Sequence, residues 1–517
     1  MKKLGYTLPL LLLVLFLIPN SVFSAKSGAS AGLSFPDPVL EMIIRHYVKK
    51  PTGTITQSDV DKITVLDTNE VHTMLVSKLK KPGASTHRVG IRNLKGLSQL
   101  RNLKSLRIQT IHKQATVLHT IKDLSELKDL KKLKQLTLRG VSLESLRGLE
   151  GVTELYSLDV SSNAIQNLDP LQNLTKLEQL NLSWNQLNQG TSGLAPLKNL
   201  KKLKILNLNM NSIQDISPLS GLTELQELSL SGSGNGNLKA LSTLINLRKL
   251  NIDSFDATSL KPLTGLSKLQ ELSVEYNQVQ DLTPLANIKQ LQVLNISENR
   301  VSSLKPLENL KELRMIKANN NQIESLAPLT HMKYLKQAEF NDNRLVSMQG
   351  LENKKQLKSV TLHYNMIDVR DNSSATILAQ LKQQGTQISY TEFDPFPDVF
   401  LVGKTKKAYA FGKYVKLPAA PYERNGRMFV PLYVVSDLLG AKVYIDKKSH
   451  TITIKDEGVS IVMKVGSTDM RSNGQIIKMD TAPVVQDDIV FVPVRVIAER
   501  LGMLIKPNIY GVSINPY

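Results

Sequence analysis

Asparagine returns every 22 residues through the middle of this 517-residue chain, at Asn277, Asn299, Asn321, Asn343 and Asn365. A carboxamide both donates and accepts hydrogen bonds, so an inward asparagine can satisfy backbone groups that a tight turn would leave buried. Such a bond is worth about 1 kcal/mol net, and a buried group left unpaired costs roughly 1–3 kcal/mol. This is structural chemistry, and residues suited to catalysis show no comparable order. The histidines (46, 72, 87, 112, 119, 331, 363 and 450) are scattered, and no HExxH, paired-histidine or G-x-S-x-G motif occurs. The glycine-rich "GSGNGN" (232–237) lies in a degenerate repeat, not between a strand and a helix as a phosphate loop would. No catalytic residue, cofactor or metal ligand is assigned, and the protein is read as a non-enzyme.

Each asparagine sits in one phrase, L-x-x-L-x-L-x-x-N-x-φ-x-x-L-x-P-L with φ aliphatic, as in "LQVLNISENRVSSLKPL" (291–307). Counting back by 22 gives Phe255, Ser233 and Asn211. Asn185 comes 26 residues earlier, with a four-residue insertion within 186–197, and Asn163 and Val141 restore the step. That makes eleven coils from about 133 to 370. Apolar phrases at 89–94 and 106–111 point to two more, with an insertion at 112–123. A fixed period in this range with this phrase marks a leucine-rich-repeat solenoid. The L-x-L segment alternates as a half-buried strand does, and stacked coils join such strands into a parallel sheet. Prolines at 170, 196, 218, 262, 284, 306 and 328 keep the same frame. Proline fits the first turn of a short helical segment, and so brief a coil predicts 3₁₀ turns on the convex side.

The ends differ from the middle. Residues 1–24 have the charged start (Lys2, Lys3), the apolar run (Leu8 to Ile18) and the small-residue end of a secretory signal peptide, with cleavage expected after Ser24. Residues 25–88 form an extension and helical cap. Val39, Ile43, Ile44 and Tyr47 share one helical face with Asp37 as its N-cap, and Thr56 or Ser58 caps a second segment. Such a cap covers the first coil's apolar edge. The repeats then run over 89–385, followed by a linker at 386–398.

Residues 399–517 contain a duplication. The segment 412–441 aligns without gaps to 474–503 at a constant offset of 62, with Gly412 on Gly474, Pro431 on Pro493 and Gly440 on Gly502. Each half reads as strand, turn, strand, then a short helix after the Val-Pro pair, then a closing strand. Asn425-Gly426 and Asn473-Gly474 are tight-turn signals. The expected fold class is therefore an α/β leucine-rich-repeat solenoid of 22-residue coils with a parallel sheet and helical N-terminal cap, followed by a small duplicated α+β domain.

The chain has no cysteine and a formal net charge of +20. A secreted chain without disulfides fits a Gram-positive source, and no cysteine is present to carry a lipid anchor. The positive balance draws a secreted protein to anionic wall polymers. In the strand columns, however, acids predominate: Asp159, Glu227, Asp253, Glu271, Glu275, Glu298, Glu339 and Asp342 against Arg139, Lys249 and Lys317. A nucleic-acid binder needs its basic stripe on the recognition face, so no nucleic-acid partner is expected.

On the asparagine and proline columns and the helical cap, residues 35–390 resemble internalin-type bacterial leucine-rich-repeat proteins. Residues 399–517 resemble the copper amine oxidase N-terminal-like domain of secreted bacterial proteins, whose N-G-R-x-x-V-P-L-R hallmark is similar to "NGRMFVPLY" (425–433) and "DDIVFVPVR" (487–495). Tyr433 replaces the arginine in the first copy, and the second lacks Asn-Gly-Arg. The resemblance implies a stalk-type, non-catalytic module, because the chain has neither a three-histidine copper site nor the T-x-x-N-Y tyrosine of an oxidase.

The function to expect is binding. Trp184, Tyr276 and Tyr364 each stand just before the asparagine column, facing out near the concave edge. Exposed aromatics are enriched at binding hot spots. Tyr276 with Asp253, Glu275 and Glu298 forms the leading candidate patch. The expected partner is a protein or glycan on the concave face. The expected setting is extracellular, without a transmembrane segment in the mature chain. The ending "GVSINPY" carries no sorting signal, so wall association would be non-covalent. A structural wall or spore-coat component that binds anionic polymers is the alternative.

Overall fold

The computed structural model describes residues 32–71, 90–110, 119–187, 193–369, 371–391, 399–410, 413–508 and 511–516. The signal peptide expected at 1–24, parts of both insertion loops and residues 392–398 of the linker lie outside them. The chain divides into two compact units, Met1–Leu203 and Lys204–Tyr517.

The first unit opens with helix α1 (Pro38–Tyr47). One oxygen of Asp37 accepts the N–H groups of Val39 and Leu40 (both 3.0 Å), and the other accepts those of Arg92 and Asn93 (2.7 and 3.2 Å). A single buried carboxylate thus caps the helix and fastens it to the following coil. Val39, Leu40, Ile43 and Ile44 are buried. The Tyr47 hydroxyl accepts from the Asp67 N–H (2.9 Å) and lies 2.9 Å from the Glu70 carboxylate; burial pushes its pKa up to about 12. Helix α2 is short (Gln57–Val60), and the Asp59 carboxylate accepts the Thr56 N–H (2.8 Å) at its start.

Strands β1 (Val65–Asp67), β2 (Ser105–Gln109), β3 (Gln135–Arg139), β4 (Ser157–Asp159) and β5 (Gln179–Asn181) pair in parallel in sequence order. The cap segment therefore supplies the first strand, and the phrase at 89–94 supplies none. Ile91 and Leu94 are instead buried after-turn positions of the coil that starts at β1.

In the second unit, β6 (Ile205–Asn207), β7 (Glu227–Ser229), β8 (Lys249–Asn251), β9 (Glu271–Ser273), β10 (Val293–Asn295), β11 (Met315–Lys317), β12 (Gln337–Glu339) and β13 (Ser359–Leu362) pair in parallel. Their register advances by 22 residues per strand, as Leu272, Leu294 and Ile316 show. Each of these eight strands buries its second residue and turns its first and third outward. The final coil replaces the 3₁₀ turn with helix α3 (Asn372–Gln383). Strand β14 (Gln387–Tyr390) follows, on residues expected in the linker. Without an L-x-L pattern, this strand could not be read from the repeat. Elsewhere every framed proline lies in the first turn of a 3₁₀ segment.

The asparagine column works as a ladder. The amide nitrogen of Asn299 donates to the carbonyls of Val274, Ile296 and Ser297 (2.8, 3.2 and 2.9 Å), and its oxygen accepts the Val279 N–H (2.9 Å). Two of those partners belong to the preceding coil, so each rung ties one coil to the last. The two departures in this unit are adjacent. The Ser233 hydroxyl takes over the bond to the Leu208 carbonyl (3.1 Å), and Phe255 fills its rung with a buried ring. That ring presses on Gly234 (φ +137°), where an added Cβ would come within 2.2 Å of it. The glycine-rich segment is thus packing adapted to one aromatic rung.

The C-terminal part has its own hydrophobic core. Its strands are β15 (Val399–Val402), β16 (Lys407–Ala410), β17 (Lys413–Lys416), β18 (Tyr422–Arg424), β19 (Arg427–Pro431), β20 (Lys442–Asp446) and β21 (Thr451–Asp456). The second half repeats them as β22 (Val459–Lys464), β23 (Asp469–Ser472), β24 (Gln475–Lys478), β25 (Val484–Gln486), β26 (Ile489–Pro493), β27 (Met503–Asn508) and β28 (Gly511–Pro516). Two five-stranded antiparallel sheets result, β17-β16-β15-β28-β27 and β24-β23-β22-β21-β20. Each takes three strands from one half and the closing hairpin from the other. A four-stranded sheet, β18-β19-β26-β25, joins the halves at the middle. Helix α4 (Val494–Arg500) follows β26, while the equivalent segment after β19 winds a single π turn (Val434–Leu438).

Candidate functional site

The outward faces of β6 to β11 form a shallow trough of about 450 Å³ that includes Glu227, Lys249, Glu271, Val293 and Met315. Its acids are largely engaged. Lys249 pairs with Glu271 at 3.2 Å and Lys317 with Glu339 at 3.3 Å. Asp253, expected to be available to a partner, is committed to the sheet: one of its oxygens accepts the Ser273 hydroxyl (2.6 Å) and the Glu275 N–H (2.7 Å). Glu275 accepts from the Asn295 amide (2.9 Å), and Glu298 from the Asn320 amide (2.6 Å). These bonds run from coil to coil, so the carboxylates brace the sheet's edge while their remaining lone pairs face out.

The column before the asparagines has one conformation throughout. Met210, Gly232, Ser254, Tyr276, Glu298, Asn320, Asp342 and Tyr364 all have φ between +51° and +64°, as do Ser162 and Trp184 in the first unit. The left-handed backbone aims each N–H at the next coil, as Tyr276 N–H does at the Ser297 carbonyl (3.2 Å). Glycine, asparagine and aspartate tolerate this conformation, whereas a bulky side chain costs roughly 1–2 kcal/mol there. Yet Trp184, Tyr276 and Tyr364 occupy it with 59 %, 60 % and 55 % of their surface exposed. Each ring thus keeps more than half of its surface in solvent.

Tyr276 and Glu298 are column neighbours on adjacent coils, joined by the Asn277 N–H to Glu298 carbonyl bond (3.2 Å). Asp253 and Glu275 lie one column inward on the coils that carry Ser254 and Tyr276. The structure thus gathers four of the six candidates. Tyr364 stands four coils beyond Tyr276, roughly 20 Å at normal strand spacing, with its ring 6.2 Å from that of His363. Trp184 belongs to the first unit. Asp342, between Glu298 and Tyr364, has its carboxyl pKa raised by burial, with His363 acting in the opposite direction.

One feature escaped the sequence reading. The residue immediately before each strand forms a second column: Lys204, Gln226, Arg248, Gln270, Gln292, Arg314, Lys336 and Lys358. Five of the eight are basic and none is acidic. One edge of the trough is therefore positive, and the other carries the aromatic and acidic residues. The signal was present at a fixed place in the 22-residue frame.

Residues 201–246 and 289–331 match the family model for leucine-rich repeats in two copies, and residues 409–514 match that for the copper amine oxidase N-terminal domain. The chain is similar to the crystal structure of an internalin (inlF) from Listeria monocytogenes, with 26% identity over 69% of this chain and 95% of that chain and a TM-score of 0.57. Similarity to the functional domain of InlJ from Listeria monocytogenes covers 83% of this chain and 94% of that one, at 18% identity and a TM-score of 0.47. A TDR receptor shares the fold alone, at 17% identity over 65% of this chain and 57% of that one, with a TM-score of 0.52. No curated protein matches the chain. The chain thus carries leucine-rich repeats similar to those of an internalin, followed by a region that matches the copper amine oxidase N-terminal domain. The family name does not bring copper chemistry with it: His450 is the one histidine after residue 398, and no group of three potential metal ligands occurs among the described residues. The residues present do not fit a copper site.

Proposed function

We propose that this is a secreted, non-catalytic binding protein that holds a protein partner on the concave face of its repeats. The leucine-rich-repeat fold supports a protein-binding role, and one observation carries the placement. Bulky aromatics more than half exposed occupy a strained backbone position that glycine or asparagine would fill at lower cost, and strain kept at such a position supports a functional role. Tyr276 is the anchor, Glu275 and Glu298 supply charge beside it, and Asp253 holds that edge in register. Tyr364 is a further contact along the same column, and Trp184 is a separate candidate contact in the first unit. A partner with a basic patch suits the aromatic-acidic edge, and an acidic patch suits the Lys204-to-Lys358 edge. A glycan ligand fits the same aromatics less well, because it would leave the charged edges without counterparts.

Residues 1–24 serve as the export signal in this reading, 25–88 as cap, 89–385 as repeats, and 399–517 as a surface-retention module behind a short linker. The net charge of +20 supports non-covalent attachment to anionic wall polymers. That charge also favours the second reading, a structural wall component. The test is capture from surface extracts with full-length wild-type and Tyr276→Ala proteins, beside retention on purified walls. A protein retained by wild type and lost from the variant supports the first reading. Equal capture by both moves the site off this column. Wall retention should collapse as salt shortens the screening length from about 8 Å to about 3 Å; retention in molar salt contradicts electrostatic attachment.

A further inference from the structure

The duplicated C-terminal domain allows an internal comparison. Its two halves share backbone detail: the Lys404 N–H donates to the Pro421 carbonyl (2.7 Å), and the equivalent Gly466 N–H to the Pro483 carbonyl (2.9 Å). The turns at Asn425-Gly426 and at the equivalent Asp487-Asp488 both place two successive residues at positive φ. Against this near-identity, the side chains around one cleft of about 460 Å³ differ sharply from their equivalents 62 residues away. Arg427 lines the cleft, where its counterpart is Ile489. Asp480 corresponds to Pro418, Arg495 to Tyr433, Glu423 to Val485 and Lys404 to Gly466. Lys478 and Glu499 of the lining correspond to the charged Lys416 and Asp437, so the two poles differ at these five positions and not at every polar one.

Two features show that this pole is built. The Arg427 guanidinium is held by the Asp480 carboxylate through its Nε (2.8 Å) and a second nitrogen, and it also donates to the Gly426 carbonyl (3.2 Å). That brace links the two halves and fixes one cleft wall. Lys404 sits at φ +63°, where its equivalent is a glycine at +78°. A lysine at a glycine-type position costs backbone strain, so its retention calls for a role. Lys404 and Arg495 have no ion-pair partner among the described residues, and both line the cleft.

We propose that this cleft binds an oxyanion, a carboxylate or phosphate, carried on a hydroxyl-rich polymer of glycan or polyol type. The planar fork of Arg495 matches such an oxyanion in two-point geometry, and Lys404 adds a point charge. Glu423 and Glu499 supply acceptors for the ligand's hydroxyls. The site is independent of the concave face and survives if that assignment fails.

The experiment is calorimetric titration of the full chain with N-acetylmuramic acid, glycerol 3-phosphate and neutral N-acetylglucosamine. Binding of either anion but not of the neutral sugar is expected, and which anion binds distinguishes an acidic saccharide from a polyol phosphate. Arg495→Gln should weaken binding by about tenfold or more, the loss of one charge-assisted contact. Tyr433→Ala, at the opposite pole, should leave it unchanged. Arg495 is exposed, so an unaltered thermal transition in Arg495→Gln separates lost binding from lost folding. Absence of heat with both anions at millimolar concentration, equal binding of the neutral sugar, or wild-type affinity in Arg495→Gln overturns the proposal.

Discussion

Val430 and Val492 face each other across the β19–β26 ladder, and each is the other's counterpart in the duplication. The neighbouring pairs confirm the symmetry: Phe429 opposes Pro493 and Pro431 opposes Phe491. A pseudo-dyad therefore passes between the two valines, as it would through an isologous dimer interface. Both are fully buried. Since each five-stranded sheet also takes its closing hairpin from the opposite half, neither half has a complete fold alone. Val430→Asp, which buries a charge on the dyad, should unfold the whole C-terminal domain. Loss of near-ultraviolet dichroism from both halves is the expected result; a native second half would refute the exchange of hairpins.

The asparagine ladder gives a second prediction. Asn299→Ala removes the amide's bonds to the Val274, Ile296 and Ser297 carbonyls, which keep Asn277, Asn321 and Tyr276 as donors, and leaves the buried Val279 N–H unpaired. Stability should fall by roughly 1–3 kcal/mol, read as a lower urea midpoint. An unchanged midpoint would show that the rung carries no energy.

Lys354 gives the third. It occupies the leucine column held by Leu310 and Met332, is 1 % exposed, and its Nζ donates to the Thr330 carbonyl (2.8 Å). Desolvation lowers its pKa. The folded state thus gives up this proton more readily than the unfolded one. Stability is reduced while the ammonium stays charged and recovers as pH rises toward the ordinary lysine value. Lys354→Met, of similar volume, should raise stability by about 1 kcal/mol at neutral pH. It should also flatten the rise in stability expected of wild type as pH climbs toward the ordinary lysine value of about 10.5. A destabilised variant would mean that the Thr330 bond outweighs the burial cost.

Periodic features could be read from the sequence because each is repeated many times. The Asn299 rung and the Pro306 turn are two instances of columns that no single position has to carry. Features that appear once were hidden. Pairing of β28 with β15 joins the domain's two ends and leaves no local pattern. Asp253 looks the same in sequence whether its carboxylate is free or bound to Ser273 and Glu275. The left-handed backbone at Tyr276 was hidden because tyrosine does not announce positive φ, whereas glycine at the equivalent 232 does.

That conformation separates folding from binding at the candidate site. Tyr276→Gly removes the left-handed penalty of roughly 1–2 kcal/mol but adds chain entropy to the unfolded state, about 0.5–1 kcal/mol for glycine. Folding stability should therefore stay level or rise by up to about 1 kcal/mol, because the side chain is 60 % exposed and little packing is lost. Partner affinity should fall by at least about 2 kcal/mol if the ring is an anchor. Glu298→Lys should act differently, slowing association and doing so less at high salt, since charge at an interface edge steers encounter. Surface plasmon resonance against the captured partner, with urea titration of each variant, reads both effects. If Tyr276→Gly loses stability, the ring packs against its neighbours. If it keeps both stability and affinity, the anchor is another residue, with Tyr364 in the same unit and Trp184 in the first unit the next to substitute.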